Sequence, residues 1–96
     1  MNEMPSDPVE RMVAITLTHH NIRYALNVVS PVSNRRTLDF FLPDYGMYIE
    51  CKRFATDRLH EQIKDLTNVI VIQGIEAAAA FDRLLTQVYD NGYNAG

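Results

Sequence analysis

The sequence predicts an α/β fold, a small mixed sheet flanked by helices, on three observations. Apolar residues recur at helical spacing near both ends of the chain, around Val13 and around Leu84. Between them, TLDFFLPDYGMYIECKRF at 37–54 sets two β-rich runs on either side of a turn-forming PDYG. VIVIQ at 69–73 is a short continuous apolar run, the pattern of a strand covered on both faces. The expected order is α-β-β-β-α-β-α in a single domain over 1–96, with 1–6 and 91–96 frayed.

The first helix is expected over 8–20. Asp7 is an N-cap, Pro8 suits the first helical position, and Glu10 stands where a capping box wants an acid. Val9, Met12, Val13, Leu17 and His20 keep to one stripe, and Asn21 ends the helix. IRYALNVVS at 22–30 reads as a strand, 31–36 as a polar loop, and 37–42 as a second strand. In PDYG, proline presets φ, aspartate favours a local turn and glycine supplies positive φ, so 47–54 returns as the third strand of a hairpin. Thr56 or Asp57 then caps a helix to about Leu66, with Leu59, Ile63 and Leu66 on its apolar face. After VIVIQ, IEAAAAFDRLLTQVYD is a strong helix former, with Ala77 to Ala80, Phe81, Leu84, Leu85 and Val88 expected to pack on the sheet.

Composition narrows the function. With 47% hydrophobic residues in 96, the chain can build a core without disulfides, and Cys51, its one cysteine, has no partner for a bridge or a zinc motif. That usage fits a reducing cytoplasm. No apolar run approaches the ~20 residues of a membrane span, and MNEMPSDPVE lacks the basic and apolar regions of a signal peptide. The net charge of −3 argues against a general nucleic-acid coat. Five of the nine basic residues, however, fall between 35 and 58: Arg35, Arg36, Lys52, Arg53 and Arg58.

The hairpin carries the chemistry. By strand alternation Tyr48, Glu50 and Lys52 share one face, and folding at PDYG brings Asp39 across from them. Two carboxylates suit a hard cation, Mg²⁺ or Mn²⁺, which binds through one or two such groups and keeps several waters. Such an ion polarises a phosphoryl oxygen and lowers the pKa of bound water. Lys52 could then orient or deprotonate the attacking water. Cys51 points to the opposite side as a small core residue, though its backbone carbonyl could reach the metal. The plainer alternative is an exposed hairpin face with a cross-strand ion pair, and a one-residue slip of register would move Asp39 to the other face.

D-x10-E-x-K on a hairpin, preceded by helix and strand and followed by helix and strand, resembles the PD-(D/E)XK nuclease superfamily. Leu38 replaces the usual proline before the aspartate. Within the superfamily, DFFLPDYGMYIECK is similar to the core of phage-type Holliday junction-resolving endonucleases, which carry D-F-x-L-P followed by E-x-K. Glu10, Val13, Leu17, Ile22 and Tyr24 match the upstream run of that group, where the helical glutamate belongs to the active site. This likeness covers residues 7–73. ECKRFATDRLHEQ also resembles virus-type replication-repair nuclease modules, in which a glutamine on the following helix corresponds to Gln62. Both likenesses imply a restriction-endonuclease-like core and the same metal chemistry; they differ in substrate.

Other residues have quieter readings beside functional ones. Glu10 has a complete task as a capping acid, and it could also look across to the hairpin. Gln62 is a solvated helical residue or an accessory to the site. His19 and His20 lie roughly 100° apart on a helix and cannot chelate one ion together; they and His60 read as ordinary residues. Arg35 and Arg36, in the loop leading to Asp39, are the preferred phosphate contacts, with Arg53 and Arg58 as further candidates. The last helix offers a dimer surface, and a homodimer would set two sites on two strands.

The reading is therefore a Mg²⁺-dependent endodeoxyribonuclease, selective for junctions or other branched DNA. Asp39 and Glu50 would hold the metal, Lys52 would act on the water, and Glu10 would complete the site. The size and likeness suggest a phage or mobile element, acting in the host cytoplasm. The alternatives are a replication-repair nuclease module and a non-catalytic DNA- or protein-binding module that keeps the fold. A core this small also leaves room for targeting by a partner protein.

Overall fold

A computed structural model describes residues 4–52 and 65–88. Asp7 opens helix α1 (Pro8–His19), its Oδ1 accepting from the Val9 and Glu10 N–H groups at 2.9 and 3.1 Å. These bonds satisfy amides that have no partner within the helix. His20 and then Asn21, left-handed at φ 58°, end it. Val9, Val13, Ala14, Thr16 and Leu17 are buried, so the stripe read from the sequence is present and widened by Ala14 and Thr16.

Among the described residues the sheet has four strands in chain order: β1 (Ala25–Ser30), β2 (Ser33–Leu42), β3 (Met47–Lys52) and β4 (Val69–Gln73). The first three are antiparallel neighbours, and β4 joins β3 in parallel, which makes the sheet mixed. Helix α2 (Gly74–Gln87) follows β4 directly, Gly74 taking φ 86° to make that turn. It lies against α1 and β4, and α1 also meets β3.

Both helices cover one face. Phe40, Leu42, Ile49, Cys51 and Ile72 from the sheet meet Val9, Val13, Ala14, Leu17 and Ala78 in one core. Phe40 and Leu17 are among its largest fully buried side chains.

Two expectations need correction. Residues 31–36 are not a loop: only Pro31 and Val32 form the turn, and β2 begins at Ser33, so β1 and β2 make a hairpin of their own. The first strand also starts later than expected, at Ala25. On α2, Ala77, Phe81 and Leu85 pack against the core, but Leu84 is 55% exposed and Val88 is exposed as well, because the apolar stripe there is narrower than the run of apolar residues. The described elements run α-β-β-β-β-α. The further helix expected up to Leu66 falls mainly on 53–64, outside the described residues, and Asp65 and Leu66 are not helical.

Candidate active site

β2 and β3 pair backbone to backbone at only three positions, Leu42 with Met47, Phe41 with Tyr48 and Phe40 with Ile49. Both strands continue past the last of these, and the next residues are Asp39 and Glu50. Their side chains take over from the ladder. Asp39 Oδ2 accepts from the Cys51 N–H at 2.7 Å, and Glu50 Oε1 accepts from the Asp39 N–H at 3.1 Å. Each carboxylate thus satisfies a backbone donor of the opposite strand, which a buried amide requires. The expected register is the observed one, and Asp39 and Glu50 converge.

Lys52 lies two residues beyond Glu50 on the same face, with Nζ 3.5 Å from Glu50 Oε2. Its side chain is partly exposed whereas that of Glu50 is almost wholly enclosed, so the ammonium is the solvent-side member of the pair. Burial, then the hydrogen bond and charge of Asp39, push the Glu50 carboxyl up to about 7, against the opposing pull of Lys52.

Glu10 joins the same electrostatic group from α1. Partial burial, then the charges of Asp39 and Asp7, raise it to about 7, again opposed by Lys52. The helical glutamate is therefore both inside a capped first turn and turned toward the hairpin acids. Cys51 faces the core as expected. Its thiol is pushed far above the ordinary range by burial and by Asp39, Glu10 and Glu50, which keeps it neutral and unreactive.

Asn27 was missed by the sequence reading. The register pairs Leu26 with Phe40 and Val28 with Leu38, which sets Asn27 opposite Asp39, and Asn27 is left-handed at φ 51°. With Leu26 and Glu10 it lines a cavity of about 550 Å³ whose other walls are residues 4–7. The available signal was residue type: asparagine tolerates positive φ better than other non-glycine residues, and it interrupts an apolar strand.

Among the described residues, no three His, Cys, Asp or Glu side chains form a ready metal-binding group. The pair Asp39 and Glu50 does fit a hard, largely hydrated cation, which takes one or two carboxylates and completes its shell with water. Burial and neighbouring acids disfavour the charged forms of Glu50 and Glu10, and a cation beside them would favour those forms. His19 and His20 meet edge to face at 5.1 Å, and His20 lies 3.5 Å from Asp82, away from the hairpin acids in sequence and in partners. Arg35 and Arg36 lie on β2 and not in a loop. Arg53, Arg58, His60 and Gln62 lie outside the described residues.

No family model, curated protein or solved structure matches this chain. Its site therefore has to be read from its own residues. No helix among the described residues is long and apolar enough to cross a membrane.

Proposed function

We propose that the protein is a Mg²⁺- or Mn²⁺-dependent endodeoxyribonuclease with a PD-(D/E)XK-type site. The observation that carries this reading is the crossed bracing of Asp39 and Glu50 at the open end of the β2–β3 ladder, with Lys52 3.5 Å from Glu50. A simple Lys52–Glu50 ion pair has no need of a second carboxylate, half-buried Asp39, set against the buried Glu50.

Asp39 and Glu50 would hold the cation, helped by the Cys51 backbone carbonyl. When bound, it supplies Lewis-acid polarisation of a phosphoryl oxygen and a more acidic bound water. The Lys52 ammonium donates to the attacking water and offsets the negative charge that grows on the phosphorus oxygens. The amide bonds from Cys51 and Asp39 fix both carboxylates before any substrate arrives, so little reorganisation is left to the reaction. Glu10, held near neutrality, either adds a ligand or exchanges a proton at the edge of the site. Branched DNA is the substrate we favour, because so small a core leaves little surface for reading base sequence. Exposed Leu84 and Val88 on and beside α2 support a homodimer; light scattering checks it.

The test is cleavage of a labelled panel (linear duplex, single strand, flap, four-way junction) with Mg²⁺ or Mn²⁺, beside Lys52→Ala. Wild type should cut only with metal, and the variant should lose ~10²–10³ of the rate, the usual contribution of one donor aimed at developing negative charge. Full activity in Lys52→Ala would sink the mechanism. A folded wild type that binds DNA and cuts nothing would leave a binding module instead.

A further inference from the structure

The β1–β2 hairpin runs on past the body of the sheet. Among the described residues β2 pairs with β3 from Phe40 onward and Asp39 is braced to it by side chains, so Ser33–Leu38 have β1 as their strand neighbour. Four consecutive residues, Asn34, Arg35, Arg36 and Thr37, are exposed, whereas Leu38, Phe40 and Leu42 alternate into the core. Consecutive exposure means that both faces of the strand meet solvent, which describes a projecting arm.

The arm carries a bulge. Val29 pairs with Thr37 and the next residue, Ser30, pairs with Ser33, so the register shifts across Asn34, Arg35 and Arg36. The Ser33 Oγ accepts from the Arg35 N–H at 3.4 Å, and the Ser30 Oγ accepts from the Val32 N–H at 3.3 Å, bracing the bulge and the turn beside it. Bulges bend a strand and re-aim its side chains. Here the residues re-aimed are the arginine pair.

We propose that this arm docks on the phosphate backbone of duplex DNA beside the cleaved bond, with Arg35 and Arg36 as its contacts. The proposal deepens, and rests on, the nuclease reading. Between 28 and 38 the chain has two arginines and no carboxylate, in a protein of net charge −3, so the cationic character is local to the arm. Planar guanidinium groups match phosphate oxygens bidentately, and the short polar side chains of Ser33, Asn34 and Thr37 suit further phosphate contacts. Reach also fits. Arg36 is three residues from Asp39, at most about 10 Å along a strand, which is roughly three nucleotide steps along one DNA strand.

The experiment uses the full chain and a labelled 20-base-pair duplex in EDTA, where no cutting occurs, with anisotropy read across a salt series. Arg35→Ala/Arg36→Ala should bind about 10–100-fold more weakly at low salt, and its log affinity against log salt should be shallower by about 2, near 0.9 for each lost phosphate contact. Arg35→Lys/Arg36→Lys should restore the slope at an unchanged melting temperature, which separates charge from folding. Equal affinity and slope in wild type and the alanine variant would overturn the arm, as would loss of a dimer with the DNA slope intact. Cutting by wild type is measured in parallel with Mg²⁺. Cutting together with an unchanged slope removes the arm and keeps the nuclease. An arginine-dependent slope without cutting removes the nuclease and keeps the arm as a DNA-binding element.

Discussion

The two ends of the β2–β3 pair are built on opposite plans. At the Leu42–Met47 end the chain turns through Pro43 to Gly46, and the Tyr45 and Gly46 N–H groups both donate to the Leu42 carbonyl, at 3.1 and 2.9 Å. The acid there, Asp44, is exposed and paired with Arg23, whose Nε donates at 3.0 Å, and the Arg23 hydrogen bond holds Asp44 below its ordinary value. At the Phe40–Ile49 end there is no turn, the acid is buried, and its carboxyl is pushed upward. The same residue chemistry gives an ion-paired surface carboxylate at one end and, at the other, a buried carboxyl whose charged form is disfavoured.

The largest consequence is a cation response confined to one end. Mn²⁺ at about 100 times its dissociation constant should stabilise the wild type by ~2.7 kcal/mol, raising the melting temperature by about 10 °C or more for a domain this size. Glu50→Gln and Asp39→Asn should each abolish that rise, while Asp44→Asn leaves it whole. Thermal melts with and without Mn²⁺ measure it. An equal rise in all four proteins would mean that the ion binds elsewhere.

A smaller effect is the pH dependence of stability without metal. Glu10 and Glu50 have folded values near 7, above the ordinary 4.5, so each favours its protonated form in the native state. Their stabilising contribution is complete below about 4.5 and is lost as pH rises through about 7. The melting temperature should therefore fall between pH 5 and pH 8, and Glu50→Gln, a permanent mimic of the neutral acid, should flatten the fall. Metal should flatten it too, because it competes with the proton for the same oxygens. A wild-type curve that rises over this interval would contradict the crowding of charge at the open end.

Much of this contrast was legible beforehand. PDYG names its own turn, and the α1 stripe declares itself because it buries apolar residues at a regular period; VIVIQ is a strand as expected, but it is not covered on both faces, since only Ile72 is buried and Val71 is exposed. Asp39 and Glu50 could be set together because alternation and a four-residue turn leave one register. What lay hidden has no periodicity to betray it. SNRR reads as a loop because all but its first residue are exposed on the arm, so hydrophobic alternation is absent from a segment that is still a strand. The left-handed φ of Asn27, opposite Asp39 across the sheet, has no periodic signature either. The replacement of a ladder by two carboxylates is likewise a property of paired strands, and no single strand records it.

The smallest expected effect belongs to the closed end. Arg23 and Asp44 are both solvent-exposed, the ions are screened by water and salt, and holding two mobile side chains together costs entropy. Arg23→Ala should leave DNA cleavage and the Mn²⁺ response at wild-type levels and shift the melting temperature only slightly, less so in high salt. The turn does not depend on the pair, since its two backbone bonds to Leu42 and the positive φ of Gly46 remain. Melts at low and high salt, with cleavage assayed alongside, would measure this. A large loss of cleavage in Arg23→Ala would break the comparison itself: the two ends would then be coupled through β2, and the exposed ion pair would have to be counted among the groups that position Asp39.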